Sequence, residues 1–179
     1  MKKIFFCLMI LLVISSLMSC TRRVKHSDPF YNLNSNDFPL NHLPLINPIE
    51  ATSQNSYSPW SVDLLPNGPY VFNPDSQGYY GYYRIEELEK IAVKNGVILA
   101  YSSYVDAQAS AYIQENYYHW FVIIPNKKGG VVGFHTEDEF DQYIQTLDIQ
   151  DPDWQTPDEA FDTFVETGCL EWFPDCDQQ

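Results

Sequence analysis

The chain has 179 residues, 24 Asp and Glu against ten Lys and Arg, a formal net charge of −14 at pH 7, and a hydrophobic fraction of 45%. That length supports one ordinary hydrophobic core, and the acidic balance leaves no basic footprint for phosphate, so nucleic acid is not an expected partner. The sequence contains no G-x-S-x-G, H-E-x-x-H or glycine-rich phosphate loop, so no catalytic signature is present and no cofactor is called for.

The first twenty residues, MKKIFFCLMILLVISSLMSC, carry Lys2 and Lys3, an apolar stretch from Ile4 to Ile14, and small or apolar residues before Cys20. This is the pattern of a secretory leader over residues 1–19. Eleven apolar residues cover only about 17 Å as a helix, against a hydrocarbon core of about 30 Å, which disfavours a permanent span. Leu17, Met18, Ser19 and Cys20 resemble the lipobox of bacterial lipoproteins, in which the cysteine is diacylated and becomes the first residue after cleavage. The resemblance covers the leader alone. It implies a lipid anchor at Cys20, with two or three acyl chains exceeding the two signals that stable anchoring needs. The segment after Cys20, TRRVKHSD, adds Arg22, Arg23 and Lys25 beside the head groups and lacks an aspartate directly after the cysteine. By the same resemblance, the protein faces the periplasm from the outer membrane.

From residue 20 to Trp60 the chain is rich in Pro, Asn and Ser, has no glycine, and shows neither helical nor strand period. This reads as an extended tether, although the apolar knots in FPLNHLPLINPI could lie along the folded part. Residues 61–179 then form a single globular domain. Its first predicted element is a helix from Arg84 to Lys94, with Ile85, Leu88, Ile91 and Ala92 on one face and Asn95-Gly96 as its stop. VILAYSSY follows as a largely buried strand. The next twelve residues, VDAQASAYIQEN, permit a short helix, which leaves the pairing of that strand open between parallel and antiparallel.

YYHWFVII, from Tyr117 to Ile124, is the second predicted strand; PNKKGG turns it into a third, VVGF, from Val131 to Phe134, as a hairpin. Thr136 with Glu139 is a capping box, followed by Phe140, Tyr143, Ile144 and Leu147 at helical spacing. Thr156 with Glu159 is another, with Pro157 at the first helical position and Gly168 at the end. The expected fold is therefore α+β: a small, mainly antiparallel sheet of about three strands, including the hairpin, covered by helices and preceded by the tether.

After Lys128 there are 14 acids and no Lys or Arg. At about 100° per residue, Glu137, Asp138, Asp141 and Asp148 form a stripe beside the apolar face of the first capped helix. Such a stripe is ordinarily a solvated helix face and alternatively a surface for a basic partner. An EF-hand starting at Asp148 is excluded, because Pro152 and Asp153 fall at positions five and six, where the loop needs a ligand and a glycine. A casual calcium site of Asp148, Asp151 and Asp153 has weaker grounds, and no metal is expected.

Cys169 and Cys176 are the remaining cysteines after the leader, and export favours a disulfide between them over free thiols or a metal pair. Metal is the weakest of the three, since His26, His42, His119 and His135 lack ligand spacing with them. His119, within YYHWF, reads as structural; a catalytic role would need a positioned carboxylate. PYVF, GYYGYY and YYHWF could stack sugars or simply fill the core.

These features point to a lipid-anchored, non-catalytic envelope protein that binds a basic protein through Glu137, Asp138, Asp141 and Asp148. Size, acidity and mixed layout resemble small immunity proteins that neutralise antibacterial toxins, which implies an inhibitor role without assigning residue roles. The competing class is an envelope hydrolase or sugar-binding lipoprotein using His119 or the aromatic segments.

Overall fold

A strand made almost entirely of apolar residues needs cover on both faces, and the computed structural model provides it for VILAYS and WFVI by placing them at the centre of a sheet. The structure describes residues 24–33, 40–55, 58–64, 70–73, 78–81, 84–109, 111–125, 127 and 130–176. Among them a 3-10 turn at Pro29–Tyr31 precedes strands β1 (Asn41–Ile46), β2 (Ile49–Ser53), β3 (Ser61–Asp63), β4 (Tyr70–Asn73), β5 (Gly78–Gly81), β6 (Arg84–Ile85), β7 (Leu88–Lys94) and β8 (Val97–Ser102). Helix α1 (Ala111–Glu115), strands β9 (Trp120–Ile123) and β10 (Val131–Phe134), and helices α2 (Glu137–Gln145) and α3 (Pro157–Thr167) complete the described chain.

The strands form two four-stranded antiparallel sheets, β1-β2-β3-β6 and β10-β9-β8-β7, with β4 and β5 paired as a separate ribbon. The expected sheet of about three strands under a helical cover is therefore wrong; the protein is strand-rich. The tether reading fails as well over residues 41–53, where β1 and β2 pair as a hairpin. Leu43, Leu45 and Ala51 of that hairpin are fully buried in the core. Pro44 is accommodated because β1 is an edge strand, where a missing N–H leaves no ladder bond unmade.

The first sheet contributes Leu43, Leu45, Ala51, Val62 and Ile85 to a cluster shared with Ile98, Ala100, Phe121 and Ile123 of the second sheet. Val97, Leu99, Trp120 and Val122, the alternate residues of β8 and β9, join Phe140 and Ile144 of α2 in another cluster. The second sheet is thus a middle layer, with the first sheet against one face and α2 against the other. Each fully buried side chain of this kind contributes about 1.5–3 kcal/mol, so both covers are strongly held. Helix α3 closes the main core, inserting Ala160 and Phe164 and lying against β1 and β7, one strand from each sheet.

Residues 84–94, expected as a helix, are two strands. Leu88 and Ile91 share a face although three residues apart, because the register shifts between Leu88 and Lys90. Leu88 pairs with Ser102 and Lys90 with Tyr101, so Glu89 is the extra residue of a bulge. That one-residue insertion imitates helical period in a strand. Asn95 and Gly96, with φ of 55° and 74°, form the two-residue turn between β7 and β8. Both need positive φ in a type I′ hairpin, which explains the Asn-Gly pair. The strand expected at 97–104, the hairpin strands around 117–134 and the two capped helices are present; β8 pairs antiparallel with β9 across α1.

Both capping boxes are formed. At α3 the Glu159 N–H donates to Thr156 Oγ1 (3.2 Å), and the Thr156 N–H and hydroxyl both donate to Glu159 Oε2 (2.9 Å each). Thr156→Ala is expected to lower the unfolding free energy by about 1 kcal/mol, read as a lower urea midpoint at unchanged slope. The Thr156 backbone N–H and then its hydroxyl hold the Glu159 carboxyl below the ordinary range. A depressed carboxyl stabilises fully above its unfolded value and loses that contribution as pH falls through the folded one. Glu159→Gln should therefore make stability less sensitive to acid; an unchanged acid limb would contradict this.

Candidate functional site

The acid-rich stretch begins where β10 ends. Thr136 stops the strand and starts α2, whose Phe140 and Ile144 are buried while Glu137, Asp138, Asp141 and Gln145 are exposed. Past the helix the chain turns at Asp148 (φ 56°), buries Ile149 completely, and turns again at Asp151 (φ 46°). Asp141, Gln145, Gln150 and Asp151, over a floor of Ile144 and Ile149, line an open cavity of about 650 Å³. The stripe inferred from helical period holds for Glu137, Asp138 and Asp141, but α2 ends at Gln145, so Asp148 stands on the turn after the helix and is not placed by that period.

The turn is fixed to the second sheet rather than loosely attached. Gln155 exchanges both backbone hydrogen bonds with Ile91 (2.9 and 3.0 Å), and Lys94 Nζ donates to the Gln150 carbonyl (2.8 Å). Trp154 packs on Trp120 and Phe140, with ring centroids 5.8 and 6.0 Å away. Among the described residues, Arg84 Nε pairs with Asp63 (2.6 Å) and His42 Nδ1 lies 3.2 Å from a Glu50 carboxylate oxygen, both on the first sheet. Neither contact engages Glu137, Asp138, Asp141 or Asp148. A rigid surface of exposed, uncompensated carboxylates attracts cations over about a Debye length and offers acceptors to Lys and Arg at contact.

Other expected site residues fall differently. Cys20 and the leader lie outside the described residues. Cys169 and Cys176 are bonded as a disulfide, with Cα atoms 5.8 Å apart. The carboxylates of Asp148, Asp151 and Asp153 are not gathered into a common ligand set among the described residues. His119 Nδ1 donates to the Ser102 carbonyl (2.9 Å), and His135 Nδ1 to the Tyr117 carbonyl (3.0 Å), with the His135 ring stacked on Tyr118 at 4.5 Å. These bonds tie both imidazoles to the backbone. Of the aromatic segments, β4 and β5 pair with each other, and their side chains lie outside the described residues.

The sequence reading missed His26. Taken as part of a basic tether, it is 3% exposed and packs edge-on against Phe173 at 5.2 Å, with Nε2 2.6 Å from the Gly168 carbonyl. One ring nitrogen and the sulfurs of Cys169 and Cys176 lie within 4.8 Å of one another. Only the Asp28-Pro29 pair, an N-cap and first-turn signal for the 3-10 turn, hinted at order nearby. Nothing local could link residues 142 positions apart. No family model matches the chain, and neither a curated protein nor a solved structure matches it.

Proposed function

We propose that the protein is a lipid-anchored, non-catalytic binding protein of the bacterial cell envelope, held by Cys20 and capturing a basic protein on the acidic face of α2. An immunity-type role, in which the captured protein is a toxin, fits the same arrangement. The observation that carries this reading is the exposed set of Glu137, Asp138 and Asp141 on a helix anchored by Phe140 and Ile144, with Asp148 on the turn that follows, none of them in an ion pair among the described residues. Charges so placed steer a partner of opposite sign and select against acidic ones, adding more to association rate than to final affinity. The outer-membrane, periplasm-facing location comes from the leader resemblance.

The test is affinity capture from envelope or competitor-cell extracts at low and high salt, followed by association rates for the captured protein. The quadruple variant Glu137→Gln, Asp138→Asn, Asp141→Asn and Asp148→Asn is expected to slow association by about tenfold or more at low salt and to flatten the salt dependence. Asn suits position 148 because it tolerates the left-handed backbone there. Thr136 and Glu139 are left intact, since losing the cap would mimic a binding defect. Identical rates and salt slopes in wild type and variant would return these acids to the solvent.

A further inference from the structure

The cluster of His26, Cys169 and Cys176 has no part in the acidic face, yet it holds an unusual buried group. A carbonyl oxygen can only accept, so the 2.6 Å contact with Gly168 assigns a ring proton to Nε2, and the neutral imidazole then carries its lone pair on Nδ1. Nδ1 is buried and has no hydrogen-bond partner, the one such side-chain atom among the described residues. Buried polar atoms are nearly always satisfied, and an exception calls for an explanation such as an absent ion or a redox role. The ring lies beside the disulfide, with one of its nitrogens and both Sγ atoms within 4.8 Å of one another.

We infer that the disulfide is one of two states of a metal site. Opened by a dithiol reductant, its thiolates join His26 Nδ1 in a Cys2His site for a thiophilic d10 cation, Zn²⁺ or Cu⁺. The balance is simple. The dithiol loses two electrons and two protons to become a disulfide, and the Cys169–Cys176 bond takes them to become two thiols. The cation then displaces both thiol protons to solvent, forming two metal–sulfur bonds and one metal–nitrogen bond. In the Zn²⁺ case water fills the fourth position.

Four features support this chemistry. Zinc at about 2.3 Å from each sulfur needs the sulfurs about 3.8 Å apart, and Cα atoms 5.8 Å apart allow both side chains to reach it. The Nε2–H bond to a backbone carbonyl is the outer support that metal-bound histidines ordinarily have, fixing tautomer and ring plane. The frame is also set in advance: the His26 N–H donates to Asn32 Oδ1 (2.9 Å), the Cys169 N–H to Thr167 Oγ1 (3.0 Å), and Gly168 caps α3 with φ 76°. Both cysteines are half-buried and so open in part to solvent, and His26 and Gly168 line an open cavity of about 530 Å³.

The experiment uses the purified chain, reduced with a phosphine without oxygen, desalted and titrated with Co²⁺ as a spectroscopic stand-in for Zn²⁺. The expected result is one equivalent bound, with thiolate-to-cobalt charge transfer and the intense visible bands of a tetrahedral site, displaced by Zn²⁺ and absent from the oxidised chain. His26→Gln should weaken the complex at least about 100-fold, the upper end of what loss of an outer partner costs. No band in the reduced chain, the same band in the oxidised chain, or equal affinity in His26→Gln would overturn the proposal. Should that variant fail to fold, zinc-edge absorption of the reduced wild type decides: two sulfurs and one imidazole support it, and any first shell without the imidazole refutes it.

Discussion

Phe121→Ala is expected to lower the unfolding free energy by about 3–5 kcal/mol, near the top of that range. Phe121 is 1% exposed, lies on the central strand β9, and points into the cluster between the two sheets. Its cross-strand neighbours on the same face are Ala100 on β8 and Gly133 on β10. Neither carries a side chain long enough to move into the space the ring would vacate, and the cost of such a truncation grows with the cavity that persists. A domain of this size has about 5–15 kcal/mol in total, so the variant would be marginal at ordinary temperature. Urea unfolding at unchanged slope measures it, and a loss below about 1 kcal/mol would mean that the interface between the sheets is not the main core.

Cys20→Ser is expected to move the protein from the membrane fraction to the soluble one. Under the proposed anchoring, two or three acyl chains supply about 0.8 kcal/mol for each buried methylene, whereas one myristoyl chain alone binds only marginally. Arg22, Arg23 and Lys25 remain in the variant, but each contributes only about 1 kcal/mol at an anionic surface. The hydroxyl of serine cannot carry the thioether on which the lipobox resemblance depends. Fractionation of cells fed a labelled fatty acid reads the outcome directly. Recovery of the variant in membranes with its label attached would refute a Cys20 anchor.

The anchor and the acidic stripe come from contiguous residues, as do both capping boxes, where Thr and Glu three positions apart complete each other's bonds. The apolar runs of β8 and β9 were equally plain, because burial on both faces removes polar alternation. Asn95-Gly96 is visible and ambiguous: the same pair that ends a helix also makes a two-residue hairpin, and the Glu89 bulge gives β7 a false helical period. The first sheet was harder still. Its strands run from 41 to 85, and two of them are three residues or fewer, too short for any period to declare itself.

By itself, then, the sequence determined what is decided within a few residues: the two capped helix starts, the fully buried strands, the charge distribution, and a short cysteine loop. Tertiary structure alone decided that Asn41 to Ser53 joins a sheet and that His26 lies against Gly168 beside the disulfide. The physical reason is that hydrogen-bond partners in a sheet, and the groups that bury a side chain, are chosen across the whole chain. A proline- and asparagine-rich segment has no reason of its own to be extended and paired until Val62, Ile85 and Phe121 offer it a surface to cover.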